Sequence, residues 1–248
     1  MLNIIFVGTG GWISTPYRSY QCIFIDDTKD LLVVDCGAFD QGKYSIYKEY
    51  LSRIKGIVIT HIHGDHIYGL PSLLFYMKFL GVTNKILLLT PVEYVTYISE
   101  MIQPVIKNAP YTLEIKGVKG DETININDFN LEFIDVDHTI SNLGCKVKVS
   151  NRNIGYTSDS RFCKGLEEIA EGSDVLICEA SFPSNMRDKA KEVGHLTPIE
   201  GVNLAKGYDI DTIIFTHIGF DVSVEKDILL KDLGLRIIWA SDNMVVTL

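Results

Sequence analysis

Apolar residues fall along this chain in short runs broken by turn-forming residues, the signature of strands and not of long helices. The runs predict strands at 3–7, 20–26, 31–35, 56–60, 86–90, 111–115, 122–126, 130–136, 143–150, 153–157, 174–178, 211–215, 235–240 and 243–247. Helical patterns lie between them, at 43–52, 68–80, 92–103, 163–171, 198–206 and 224–231. Ser150-Asn151-Arg152-Asn153 separates two strand runs and reads as a hairpin turn, since Asn tolerates positive φ. Pro198 suits the first turn of a helix capped by Thr197. Strands that follow one another directly, with helices interspersed, predict antiparallel or mixed sheets covered by helices. They fit less well with one doubly wound parallel sheet. No stretch rich in Gly, Pro and Ser interrupts the pattern, so a single domain over 1–248 is expected. One echo crosses it: Ile57-Val58-Ile59-Thr60-His61-Ile62 returns as Ile213-Ile214-Phe215-Thr216-His217-Ile218, hinting at two similar halves.

Composition narrows the classes. Apolar residues at 46% and charged ones at 22% of 248 are those of an ordinary globular chain. A net charge of −9 argues against an indiscriminate nucleic-acid binder. No apolar stretch approaches the roughly 20 residues of a membrane helix, and the opening Met1–Gly8 lacks a basic region and reads as a first strand. The five cysteines form no C-x-x-C pair, which predicts buried free thiols. A soluble cytoplasmic protein that needs no membrane is the expectation.

The chemistry gathers where the run Ile57–Thr60 ends in His61-Ile62-His63-Gly64-Asp65-His66. Four ligand-type residues within six positions have little structural purpose, and imidazole with carboxylate is the donor set that divalent cations such as zinc accept. On an extended segment His61 and His63 point the same way and can clasp one ion. Gly64 is expected to allow a tight turn, after which Asp65 and His66 face a second ion as a helix begins. His138, Asp159 and His217 follow strand runs downstream and complete the set, with Asp159 as the carboxylate that bridges both ions.

These motifs resemble the metallo-β-lactamase superfamily, and more narrowly its ribonuclease Z branch of tRNA 3′-processing endonucleases. The matching residues are Gly8-Thr9-Gly10, Val34-Asp35-Cys36-Gly37, Thr60 through Pro71, Asp137-His138, Tyr156-Thr157-Ser158-Asp159, Cys178-Glu179-Ala180-Ser181-Phe182, Gly194-His195-Leu196-Thr197-Pro198, Phe215-Thr216-His217 and Ala240 through Met244. The resemblance implies an α+β fold, a four-layer αββα sandwich of two mixed sheets with outer helices. It implies a dinuclear centre of two divalent metal ions, Zn2+ in the first place with Mn2+ as the alternative. Related diiron oxidoreductases carry a carboxylate where His63 stands, so a hydrolase is favoured. It also implies a homodimer.

Phosphodiester cleavage by a metal-activated hydroxide follows, with Asp65 orienting the hydroxide while ligating the second ion. His195 fits as proton donor to the leaving alkoxide and Glu179 as the carboxylate that holds its imidazole, matching the family's Glu and His pair. Thr197 and the helix it starts offer N–H groups to a substrate phosphate. Arg187, Lys189 and Lys191, interleaved with Asp188 and Glu192, read better as a solvated helix face than as phosphate ligands.

The chain also departs from that branch. The arm that grips tRNA belongs between the third histidine motif and the aspartate motif, where only a hairpin's length separates His138 from Asp159. The basic loop that reads the tRNA 3′ end survives only as Pro16-Tyr17-Arg18, and the family's histidine before the glutamate is Cys178. These departures weigh against a tRNA precursor. They leave an RNA or a smaller phosphodiester, such as a cyclic nucleotide, as substrate. Another ester hydrolase of the superfamily and a non-catalytic metal-containing binding module are the other readings.

Overall fold

The structure, a computed structural model, describes residues 1–220 and 234–248. The first sheet contains β1 (Asn3–Gly8), β2 (Cys22–Asp26), β3 (Leu31–Cys36), β4 (Ile54–Val58), β5 (Lys85–Pro91), β6 (Thr112–Val118) and the last strand, β14 (Met244–Thr247). The second contains β7 (Thr123–Ile126), β8 (Phe129–Asp135), β9 (Leu143–Val149), β10 (Arg152–Tyr156), β11 (Val175–Glu179), β12 (Thr212–Thr216) and β13 (Arg236–Trp239). Their spatial orders are β14-β1-β2-β3-β4-β5-β6 and β13-β12-β11-β10-β9-β8-β7. The helices are α1 (Gln41–Tyr47), α2 (Gly64–Ile67), α3 (Leu70–Phe79), α4 (Val95–Ile106), α5 (Lys164–Ala170), α6 (Arg187–Val193) and α7 (Pro198–Gly207).

Both sheets are mixed in the same way. β14-β1-β2-β3 and β7-β8-β9-β10 pair antiparallel, while β3-β4-β5-β6 and β10-β11-β12-β13 pair parallel. By this correspondence β4 answers to β11 and not to β12. The repeated Thr-His pair therefore sits on non-equivalent strands, and the sequence echo is not a trace of matching positions.

Three apolar layers hold the sandwich. Phe6, Ile25 and Val34 of the first sheet meet Leu131, Phe133 and Ile177 of the second in the central layer. Leu73, Leu74, Ile98 and Ile102 of α3 and α4 cover the outer face of the first sheet, and Leu166, Ile169, Val202 and Ala205 of α5 and α7 cover that of the second. This four-layer order explains the run-like strands. β2 and β3 are buried at every position because both faces are covered, whereas the edge strand β6 alternates exposed and half-buried.

Every expected strand forms, with ends shifted by a few residues. The helix expected at 43–52 divides into α1 and a 3-10 segment, Lys48–Arg53. The 187–193 stretch is the helix α6, whose cations pair with carboxylates: Arg187 with Glu200 and Lys189 with Glu192. The helix expected at 224–231 lies outside the described residues. Ser150 and Asn151 both take positive φ, +50° and +61°, and close β9 onto β10 as a two-residue hairpin. Cys22, Cys36, Cys145 and Cys178 are buried and all five cysteines are free. Among the described residues no helix is long and apolar enough to cross a membrane.

Candidate metal centre

β8, β10, β11 and β12 all point the same way, so their C-terminal ends open on one edge of the sandwich. His138 follows β8, Asp159 follows β10, Glu179 ends β11 and His217 follows β12. Across the cleft, the segment after β4 brings His61 and His63, and α2 brings Asp65 and His66. Chain reversal at these tips is tight: His217 and Ser158 take positive φ of +52° and +51°, conformations that non-glycine residues adopt when surrounding contacts enforce them.

Seven side chains form two clusters. His61, His63, His138 and Asp159 make one; Asp65, His66, Asp159 and His217 make the other. In the first, His63 Nδ1 lies 3.1 Å from His61 Nε2 and 3.1 Å from His138 Nε2. In the second, His217 Nε2 stands 3.1 Å from Asp65 Oδ2 and 3.3 Å from Asp159 Oδ2, with His66 Nε2 also 3.3 Å from Asp159 Oδ2. Asp159, 1% exposed, is the member common to both.

The donor set fits divalent cations. Among the described residues, buried His66 Nε2 and Asp159 Oδ1 have no hydrogen-bond partner, which is costly unless something else satisfies them. The outer nitrogens explain why the inner ones face the clusters. His138 Nδ1 lies 2.8 Å from the carbonyl of Gly194, and His66 Nδ1 lies 2.8 Å from Asp35 Oδ2. Both partners only accept, so each Nδ1 carries hydrogen, and each ring in its neutral form turns a lone pair inward. Gly194 has φ +85°, and a Cβ there would stand 2.8 Å from His138 Nδ1, so the close carbonyl approach requires glycine.

Burial pushes His61, His63 and His138 below the usual histidine range, and neighbouring imidazoles add to it, which keeps them neutral as ligands must be. Burial would raise Asp159, but the charges of His217 and His66 outweigh it and hold the carboxyl well below its ordinary value. Asp65 is lowered against its burial by His217 and His66. His66 is raised against its burial by Asp159 and Asp35.

His195 stands beside the clusters, its Nδ1 3.1 Å from Glu179 Oε2 and 3.2 Å from Oε1. Burial works to lower it, but the Glu179 charge and hydrogen bond, with Asp159 and Asp65 behind, carry it up to about 9. Members of both clusters and His195 line one cleft of about 360 Å³, with Trp12, Tyr20, Tyr68, Thr139 and Val193.

One sequence expectation needs correction. Thr197 is not a phosphate seat: it is fully buried, and its N–H and hydroxyl both donate to Glu200 Oε2. Pro198 has no N–H, and the N–H of Ile199 is taken by Ser184 Oγ, so the start of α7 has no free donor there. The turn expected at Gly64 forms, with the His66 N–H donating to the His63 carbonyl at 3.0 Å; a Cβ at Gly64 would strike the Tyr68 ring at 2.1 Å, so the glycine also makes room for that ring. Arg18, from the remnant of the basic loop, turns inward to Thr9 Oγ1 and the Ala240 carbonyl.

Three contributors were given no role by the sequence. Asp35 accepts from Thr60 N–H, Thr60 Oγ1, His66 and Tyr156, each at 2.8–2.9 Å, and so anchors a ligand from behind. Trp12 packs 5.0 Å from the His195 ring. Ser181 hydrogen-bonds Glu179 and faces both His195 and His217.

The family described as Anti-Pycsar protein Apyc1 matches residues 2–197, which include every site residue above except His217. The chain belongs to the Apyc1 family. Among curated relatives of this Apyc1-family chain, the ribonuclease Z of Methanothermobacter thermautotrophicus is 23% identical over 270 residues, covering 88% of this chain and 87% of that protein. Among solved structures, the metallo-β-lactamase-fold protein YhfI of Bacillus subtilis matches with a TM-score of 0.83 at 18% identity, covering 99% of this chain and 98% of that one. The short form of human tRNase Z matches with a TM-score of 0.83 at 23% identity and the same coverage. The fold is that of the metallo-β-lactamase superfamily, as the sequence resemblance implied. The Apyc1-family chain is a ribonuclease Z-like, metal-dependent hydrolase, and its histidine and aspartate clusters could hold divalent cations.

Proposed function

We propose that the chain is a dinuclear phosphodiesterase of small substrates, with a cyclic nucleotide as the first compound to test. The observation that carries this reading is the lining of the cleft: members of both clusters and His195 share its wall, and among the described residues no lysine or arginine does. A polynucleotide backbone calls for several cations along its path, and the described residues of this cleft supply none. Between His138 and Asp159 the chain makes only β9, a two-residue turn and β10, which leaves no gripping arm.

His61, His63 and His138 would hold one zinc or manganese ion, Asp65, His66 and His217 the other, with Asp159 between them. Bound, two such ions lower the pKa of a water towards neutrality and stabilise charge on the phosphoryl oxygens. With two carboxylates among seven ligands, the loaded site keeps a net positive charge, which suits a singly charged phosphodiester. Asp65 would accept a hydrogen bond from the attacking water. His195, held protonated by Glu179, would give its Nε2 proton to the leaving oxygen, since an unprotonated alkoxide leaves poorly. Trp12 supplies a flat apolar wall beside His195, on which a nucleobase can stack.

The purified protein loaded with zinc or manganese is expected to cleave bis(p-nitrophenyl) phosphate and a cyclic nucleotide while leaving a tRNA precursor intact. The likeness to proteins named ribonuclease Z favours a second reading, in which the precursor is the substrate. Removal of its 3′ trailer, with cyclic nucleotides untouched, would decide for that reading. No turnover of any of the three, with two ions bound, would return the chain to a binding role. The homodimer implied by the resemblance is carried forward on exposed Phe75 and Phe79 of α3, an apolar surface that a second copy would cover. Equilibrium sedimentation at the monomer mass would remove it.

A further inference from the structure

Ser181 lies two residues beyond the end of β11, is fully buried, and has its hydroxyl at the centre of a group that no strand pattern reveals. Oγ makes a short contact to Glu179 Oε2 and lies 2.8 Å from His217 Nδ1, 3.2 Å from His195 Nδ1 and 3.3 Å from the His217 carbonyl. Glu179, His195 and His217 look like a third cluster of ligands, but this hydroxyl stands among them and holds them by hydrogen bonds.

A hydroxyl has one proton to give and two sites at which to accept. The carboxylate is an acceptor only, and its short contact is of the charge-assisted kind, stronger than a bond to a carbonyl at 3.3 Å. The proton therefore goes to Glu179. Towards His217, 2.8 Å away, Oγ is left as an acceptor, so His217 Nδ1 must carry the hydrogen. The lone pair of that ring is then on Nε2, the atom that faces Asp65 and Asp159. His66 and His138 have their rings fixed by a carboxylate and a backbone carbonyl directly. For His217 the acceptor is a serine, itself held by Glu179, whose Oε1 is fixed in turn by the Ser160 N–H at 2.7 Å.

We propose that Ser181 is a positioning residue for the second cation: it fixes His217 with its Nε2 lone pair turned into the cluster. It also ties that ligand to the same Glu179 that holds the proton donor His195. Removing such an outer partner typically weakens metal binding by about 10–100-fold. The inference rests on the two-cation reading and goes one residue further.

The test is chelator-competition titration of zinc into the wild-type chain, Ser181→Ala and Ser181→Thr, with circular dichroism to verify folding. Wild type is expected to take up two ions. Ser181→Ala should weaken one of them by about 10–100-fold and leave the other within about twofold, and Ser181→Thr, which keeps the hydroxyl, should restore the loss. Unchanged affinities in Ser181→Ala, or a folded Ser181→Thr as weak as alanine, overturns the proposal alone. Fewer than two ions in wild type overturns the two-cation reading and this proposal with it. Should alanine prevent folding, ring nitrogen resonances of wild-type protein labelled with ¹⁵N-histidine decide: His217 as Nδ1–H supports the proposal, and His217 as Nε2–H contradicts it.

Discussion

Replacing His195 with alanine is expected to lower kcat by about two to four orders of magnitude while two ions remain bound. The two halves of this outcome have separate causes. His195 spends its Nδ1 on Glu179 and belongs to neither cluster around Asp159, so metal uptake does not need it. Its Nε2 is left for the cleft, where a leaving oxygen requires a proton. Phosphodiesters with a good leaving group, such as p-nitrophenolate, need that proton less, so the loss should be smaller for bis(p-nitrophenyl) phosphate than for a nucleotide. The pH dependence follows with a definite sign. A histidine raised to about 9 stays protonated through neutrality and loses its proton as pH rises through that value, so turnover should fall on the alkaline side. Bound cations would neutralise the Asp159 and Asp65 contributions and leave that of Glu179, placing the limb at or below about 9. In Glu179→Gln the limb should move to lower pH. Loss of metal from His195→Ala, measured by atomic absorption, would show that this imidazole is a ligand and not a donor.

Asp159→Ala is expected to abolish turnover by weakening both ions together, the largest effect of any single change in the site. The reason is that its Oδ2 faces His66 and His217 on one side and His61, at 3.8 Å, on the other, while Oδ1 has no partner among the described residues. Zinc held by four ligands binds with roughly 10–16 kcal/mol. One ligand in four therefore implies about 3 kcal/mol, or about 100-fold, at each ion. His138→Ala and His217→Ala should each weaken one ion alone. Titration showing that Asp159→Ala releases a single ion would remove the bridging role.

Much of this site was legible because the chain places all six histidines there and none elsewhere. Strand-sized apolar runs ending in His, Asp or Glu announce both the sheets and the edge at which their tips meet. What the runs could not reveal was which tips are equivalent: the repeated Thr-His pair suggested β4 and β12, whereas the pairing order makes β11 the counterpart of β4. Thr197 keeps its expected role as helix cap and loses its phosphate role, and the reason is in the sequence. Thr197-Pro198-Ile199-Glu200 is the pattern of a capping box, and a glutamate three residues on takes the very donors a phosphate would need. Asp35 and Ser181 stand in the matching motifs, but neither they nor Trp12 carried a signal of their role. Serine and aspartate are common at strand ends, and only the meeting of β3, β10, β11 and α2 in space turns them into partners of His217 and His66. The helix α1 ended early for a local reason: Tyr47 has φ −110° and ψ 4°, and the chain tightens into a 3-10 segment.

The most direct test of the two-cation site is anomalous diffraction at the zinc edge from zinc-loaded crystals. Two peaks roughly 3.5–4 Å apart are expected, one among His61, His63 and His138, the other among Asp65, His66 and His217, with the Asp159 carboxylate reaching both. A single peak, or ions bound away from Asp159, would contradict it.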